Sequence, residues 1–334
     1  MGRELAIATK GLTKQFNRHL AVRDVDLEVE IGEVYGLIGP NGAGKTTLIR
    51  MLAAAEDPTL GEIYINGNQV MRDRRNPTIK RHLGYLPDDF PLYEDLSVWD
   101  YLDYFARLYQ LQEPERSRRL HEVLDLVSLT HKRTSPIPTL SRGMRQRLSL
   151  ARTIIHQPLL LLLDEPVSGL DPVARSQFRD IIHALKEAGM TILISSHVLS
   201  DLEEMCTSIG IMELGYLVES APLAELYRRL SRQHIEISVI TPAANLEATL
   251  NQHPLVDQWG WVDELSRRRQ RPGDRPPAAD STLRQLRVEF SGNAPDSAEL
   301  LRSLVTAGVT ITEFHTVHET LEDIFFKIDH KQSA

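Results

Sequence analysis

The run Gly39-Pro40-Asn41-Gly42-Ala43-Gly44-Lys45-Thr46-Thr47 fits the spacing Gly-x-x-x-x-Gly-Lys-Ser/Thr, and each fixed position has a physical task. Gly39, Gly42 and Gly44 let the backbone curl until several N–H groups point at one phosphate chain. Lys45 brings a cation to the outer phosphates, and the Thr46 hydroxyl can ligate Mg²⁺. A second cluster is Leu160-Leu161-Leu162-Leu163-Asp164-Glu165, an apolar run that ends in two carboxylates. There Asp164 can hold Mg²⁺ through water, and Glu165 can polarise a water that attacks a γ-phosphate; phosphoryl transfer needs both parts. A third candidate is Leu140-Ser141-Arg142-Gly143-Met144. Ser141 suits a helix N-cap, and Gly143 allows a phosphate close to the helix end. Taken alone, that stretch also reads as an ordinary capped helix.

These groups need elements to hold them. Residues 33–38 read as a buried strand before the glycine loop, and 47–55 as a helix after it, with its positive N-terminus toward the phosphates. Residues 3–30 read as strands with a turn at Asn17-Arg18-His19, and 61–67 as a short strand closed by a turn. From Ser97 to Tyr109 the apolar residues Val98, Tyr101, Leu102, Phe105 and Leu108 have helical spacing, and Ser97 with Asp100 makes a capping pair. Further helices are expected over 120–127 and 141–156, so a mostly helical arm occupies about 90–156. Residues 159–163 have the continuous apolar character of a strand covered on both faces. Asp171-Pro172 supplies an N-cap and a first-turn proline for the next helix, and 191–195 is the next strand.

Past residue 222 the pattern changes. Helix (222–230), strand (234–240), helix (243–251), strand (256–261), strand (284–290), helix (297–307), strand (309–315) and helix (318–328) are expected. The middle six run β-α-β-β-α-β, the ferredoxin-like order. Between them, 266–281 is rich in Arg, Pro and Asp and reads as a disordered insertion, with Arg267-Arg268-Arg269 a solvated run. The final helix has an apolar face at Leu321, Ile324, Phe325 and Ile328, suited to covering its own sheet or to joining two subunits.

The 334 residues suffice for two domains, expected at 1–221 and 222–334. A net charge of −8, from 38 basic and 46 acidic residues, argues against a general nucleic-acid binder. The single cysteine, Cys206, permits no internal disulfide and fits a reducing compartment. The N-terminal stretch lacks the apolar core of a secretion signal. No run reaches the roughly 18 apolar residues that span a bilayer, so work at a membrane would require another chain to do the spanning.

In their order, the glycine loop at 39–47, Leu140-Ser141-Arg142-Gly143-Met144, the strand ending in Asp164-Glu165, Ser168-Gly169-Leu170-Asp171 and Ser195-Ser196-His197 resemble the ATP-binding cassette (ABC) family over about residues 4–220. The resemblance implies a P-loop α/β cassette with an N-terminal β subdomain and a helical arm, ahead of the small α+β domain. It implies ATP and Mg²⁺ as cofactors and ATP hydrolysis as the activity. By position, Phe16 would stack on adenine, although a core aromatic is a rival reading. Ser141 and Gly143 would touch the γ-phosphate held by a second subunit, Asp171 would lie at the dimer interface, and His197 would help fix the attacking water. Asp88 stands where most of the family has Gln near the metal, and the signature has Arg142 and Met144 where Gly and Gln are commonest.

Both departures, and the ending Glu319-Thr320-Leu321-Glu322-Asp323-Ile324-Phe325, are similar to exporters whose ATPase and permease are separate chains. The implied partners are a second ATPase subunit, self or homologue, and an integral-membrane permease. No nucleic-acid partner is implied. The implied place is the cytoplasmic face of the membrane. Phe90, Leu92, Tyr93 and Trp99 would offer the permease an apolar dock, or else form the arm's own core. Two rivals are a soluble cassette ATPase acting on ribosomes or DNA and a nucleotide-gated module without useful turnover. A single glycine loop and the absence of a heptad run disfavour the first; Glu165 and His197 disfavour the second.

Overall fold

The computed structural model describes residues 4–71, 76–230, 233–240, 245–262 and 283–317. The first strands are β1 (Leu5–Phe16), β2 (His19–Val25), β3 (Glu28–Glu30) and β4 (Val34–Ile38). After them come α1 (Lys45–Leu52), β5 (Leu60–Ile65), β6 (Asn68–Gln69), α2 (Pro77–Arg81) and β7 (Leu83–Leu86). The helical stretch carries α3 (Val98–Leu108), α4 (Glu115–Leu126) and α5 (Arg142–Ile154). Then follow β8 (Leu160–Leu163), α6 (Pro172–Glu187), β9 (Thr191–Ser196), α7 (Leu199–Glu203), β10 (Ser208–Glu213), β11 (Tyr216–Pro222) and α8 (Leu223–Leu230). The last elements are β12 (Gln233–Ile240), α9 (Leu246–Gln252), β13 (Val256–Trp261), β14 (Leu283–Phe290), α10 (Ala294–Thr306) and β15 (Ile311–Val317).

The apolar runs decide which strands go inside. All five residues of β4, all four of β8 and all six of β9 are buried. A strand covered on both faces belongs in the middle of a parallel sheet. The six-stranded sheet has the order β11-β10-β4-β9-β8-β7, and only β11 runs antiparallel to its neighbour. A separate antiparallel sheet orders β2-β1-β5-β6, with β3 also on β1. Helix α6 begins at the N-cap Asp171 with Pro172 in its first turn, and it buries Ala174, Phe178, Ile181, Ile182 and Leu185. Ser97 caps α3 by accepting from the Asp100 N–H at 3.2 Å. Cys206 is buried, and burial pushes its thiol pKa well up.

Two compact units result, Met1–Leu223 and Ala224–Ala334. In the second, the chain runs β12, α9, β13, β14, α10 and β15, and its four strands form an antiparallel sheet of order β13-β14-β12-β15. That is the sheet order of a ferredoxin-like unit, with Ile235, Ile237, Val239, Leu286, Val288 and Phe290 in its core. Helix α10 starts with a full capping box between Asn293 and Asp296. The insertion expected at 266–281 and the final helix at 318–328 lie outside the described residues.

Phe178, on the inner face of α6, is fully buried. Phe178→Ala is therefore expected to cost the first unit about 3–5 kcal/mol. The measurement is a lowered urea midpoint followed by tryptophan fluorescence.

Candidate functional site

Four strands of the parallel sheet deliver their chemistry to one edge. β4 ends at Ile38 and feeds the glycine loop, β9 feeds His197, β8 feeds Asp164 and Glu165, and β7 ends two residues before Asp88. Pairings of Ile38 with Ser196, Leu163 with Ile194 and Leu86 with Leu163 bring those strand ends level. Ligands of open α/β sheets bind at such carboxyl edges.

The loop geometry demands glycine where it bends hardest. Gly44 has φ 105° and is the N-cap of α1, and a Cβ there would strike the Ala21 carbonyl. Lys45 is buried, and its Nζ donates to the carbonyls of Gly39 at 2.7 Å and Pro40 at 3.3 Å. The same ammonium lies 3.3 Å from Glu165 Oε1. Glu165 Oε2 is 2.7 Å from His197 Nδ1, so one carboxylate bridges a lysine and an imidazole. Glu165 holds φ 49°, in the left-handed region, and its N–H donates to Ser195 Oγ at 3.0 Å. A non-glycine residue there stores roughly 1–3 kcal/mol of backbone strain, a common mark of functional positions.

Asp164 is fully buried. Its Oδ1 accepts from Ser195 Oγ at 2.7 Å and Thr46 Oγ1 at 3.2 Å, while its Oδ2 has no hydrogen-bond partner. Burial raises its pKa, and the charges of Asp88 and Glu165 push the same way. Asp88 is also raised, first by desolvation and then by Glu165 and Asp89, against a lowering pull from Arg142 and His197. An orphaned buried carboxylate oxygen, a threonine hydroxyl beside it and an excess of negative charge fit a divalent cation.

A cavity of about 500 Å³ opens over these groups. Phe16, Asn41, Gly42, Ala43, Gly44, Lys45, Thr46, Thr47, Asp88, Glu165 and His197 line it, and so do His19, Ala21 and Ser168. Phe16 is 42% exposed at the end of β1, with Lys14 Nζ 4.8 Å from its ring centroid; it is no core aromatic. Gly39 and Pro40 contribute through their carbonyls on Lys45. Ser141, Gly143 and Asp171 do not line the cavity. Ser141 Oγ caps α5, accepting from the Met144 N–H at 3.3 Å, and Asp171 Oδ1 caps α6, accepting from the Ala174 N–H at 2.9 Å. A Cβ on Gly143 would lie 2.6 Å from Ala174 Cβ, so helix packing alone already favours glycine there.

The aromatics offered as a dock divide. The Arg152 guanidinium covers Phe90 at 3.6 Å, and Trp99 meets His121 edge-on at 4.9 Å, so both make contacts within the arm. Tyr93 is 48% exposed at the rim of a ring cluster with Tyr101, Tyr104 and Phe105. Sequence reasoning gave no role to Ser195, Ser168 or His19. No signal in the sequence marks Ser195, because its reach to Asp164 depends on the pairing of Leu163 with Ile194 across β8 and β9.

Glycine-shaped amides, a buried lysine, a metal-suited aspartate and a bridged glutamate together make a P-loop nucleotide-hydrolysis site. Residues 22–168 match the protein family described as "ABC transporter". The chain is 38% identical to the uncharacterized ABC transporter ATP-binding protein YcbN of Bacillus subtilis (strain 168), over 96% of each chain. It is 37% identical to the bacitracin transport ATP-binding protein BcrA of Bacillus licheniformis, over 70% of this chain and 74% of that one. It is 40% identical to the uncharacterized ABC transporter ATP-binding protein sll0415 of Synechocystis, over 62% of this chain and 58% of that one. Among solved structures, an ATP-binding subunit of an ABC transporter superposes with a TM-score of 0.60 at 32% identity, over 67% of this chain and 92% of that one. The chain belongs to the ABC transporter family as an ATP-binding subunit, and its enzymatic activity is that of an ATPase.

Ser195 ties Asp164 to the Glu165 backbone, so Ser195→Ala should lower ATPase kcat roughly 10- to 100-fold, as loss of a metal-site orienting group does. ATP affinity by fluorescence titration should change little. A raised carboxyl pKa means the folded chain binds that proton more tightly than the unfolded chain does. Ionised Asp164 therefore destabilises the metal-free fold above the ordinary carboxylate range. Asp164→Asn should raise the thermal midpoint of the metal-free protein while removing Mg²⁺-dependent turnover; calorimetry and phosphate release read the two effects.

Proposed function

We propose that Glu165 is the catalytic carboxylate and that the chain drives an exporter whose membrane permease is a separate polypeptide. The observation that carries the proposal is the bridge at Glu165, 3.3 Å from Lys45 Nζ and 2.7 Å from His197 Nδ1, beside the phosphate loop. The loop amides and Lys45 hold the β- and γ-phosphates, and Phe16 stacks on the base. Thr46 and Asp164 would hold Mg²⁺, and Asp88 would add a negative charge near them; when bound, the metal would neutralise charge that develops on the phosphates. Glu165 accepts a proton from the attacking water, and His197 orients the carboxylate and the γ-phosphate.

Ser141, Gly143 and Asp171 act in trans. Two helix N-termini with small or acidic residues, absent from the lining of their own cavity, suit the phosphates and interface of a second cassette. ATP then closes two subunits because the signature contacts exist only with the γ-phosphate present, and hydrolysis releases them. In this reading the chain works from the cytoplasmic face through its permease; among the described residues no helix is long and apolar enough to cross a membrane. The likeness to the bacitracin transport ATP-binding protein supports transport as the work that ATP hydrolysis drives.

Glu165→Gln tests the reading. With Mg·ATP the variant should run as a dimer by light scattering and turn over at least about 100-fold more slowly than wild type. Turnover at the wild-type level would remove Glu165 from the role. Co-expression with a neighbouring permease and joint recovery in detergent would establish the partner.

A further inference from the structure

Arg142 stands between Ser141 and Gly143, at the exposed start of α5, yet its guanidinium is tied down. Nη2 donates to the Ser168 carbonyl at 3.0 Å. A Cβ built on Gly169 would lie 2.6 Å from Cζ, Nη1 and Nη2 alike, so the planar group lies face-on against that residue. Gly169 also has φ 65°, so both dihedral and space call for glycine. The neighbouring positions reinforce the contact. Ser168 lines the nucleotide cavity, Asp171 caps α6, and Gly143 backs onto Ala174 of the same helix. The loop from Ser168 to Asp171 is thus held by α5 at both ends, by Arg142 at its start and through the Gly143–Ala174 contact beyond it.

Arginine suits this task and lysine does not. A guanidinium offers a flat face for stacking and a fork of donors for a carbonyl, whereas an ammonium offers a strongly hydrated point charge. The ABC resemblance places glycine most often at this position, and glycine can make neither contact.

We propose that Arg142 is a positioning residue that locks the Ser168–Asp171 loop to the start of α5, so that the cavity wall at Ser168 and the helix tip at Ser141 are set together. The proposal rests on the catalytic reading given above. It makes turnover, but not the grip of the phosphate loop, depend on the lock. Misplacement of supporting groups by a fraction of an ångström lowers rate much more than affinity.

The test uses the full-length protein with Arg142→Gly, Arg142→Lys and Gly169→Ala. Arg142→Gly should bind a fluorescent ATP analogue within about twofold of wild type and lose roughly tenfold in kcat. Arg142→Lys should recover only part of that rate. Gly169→Ala, which drives a methyl into the guanidinium, should lower kcat in the wild-type background and less in the Arg142→Gly background, where the dihedral strain remains and the clash is gone, because coupled sites are not additive. A kcat for Arg142→Gly within about twofold of wild type would overturn the lock, as would additive effects of the two substitutions. An equal loss of affinity and kcat, or complete rescue by lysine, would overturn it as well. A wild-type protein that binds ATP without hydrolysing it would instead sink the catalytic reading.

Discussion

The Asp164 carboxylate is the interaction on which the rest of the site depends. One of its oxygens accepts from Thr46, on the phosphate loop, and from Ser195, at the end of the adjoining strand. The other has no partner in a fully buried position. A buried acceptor left open costs on the order of 1–3 kcal/mol, more for a charged group. Selection keeps such a cost where a cation or a reaction uses it. The same hydroxyl that holds Asp164 also accepts the Glu165 N–H, so the metal-suited and base-suited carboxylates share one support. The electrostatics follow from that arrangement, since Asp88 and Asp164 are both pushed toward their neutral forms by burial and by neighbouring carboxylates.

Most of the scaffold was legible in the chain because its signals were local. The continuous apolar runs at β4, β8 and β9 could only be central strands, and the caps at Ser97, Ser141 and Asp171 fell where the helices begin. Where the local signal was thin the reading was incomplete. The β10–β11 hairpin, α2 and α7 went without assignment. β10 mixes Ser208, Gly210 and Glu213 with its apolar residues, and its place beside β4 is fixed by a partner far away in sequence. Helix α1 begins at Lys45 rather than at Thr47, because Gly44 in a left-handed conformation serves as the N-cap and the loop runs straight into the helix. Helix α10 begins at Ala294 rather than at 297, because Asn293 and Asp296 form a capping box around Pro295.

The site was legible in its residues and not in its supports. Residues 41–47 of the glycine loop, Glu165, His197, Phe16 and Asp88 line one cavity, and the fully buried Asp164 is tied to it through Thr46. Ser195 and Arg142 owe their positions to the register between β8 and β9 and to the packing of α5 against the Ser168–Asp171 loop, neither of which a linear pattern encodes. Gly143 shows how packing can account for a motif residue: it is buried, and its lack of a side chain is required by Ala174 within the chain.

Cys206 carries a practical consequence. It is the chain's one thiol, it is buried, and its environment strongly disfavours the thiolate that would react with a maleimide or disulfide reagent. The native protein is therefore already a quiet background for site-directed spectroscopy. Cysteines introduced on the α5 and α6 tips could take paired spin or fluorescent labels directly, and the distance between two subunits could be followed through the catalytic cycle without first rebuilding the interior.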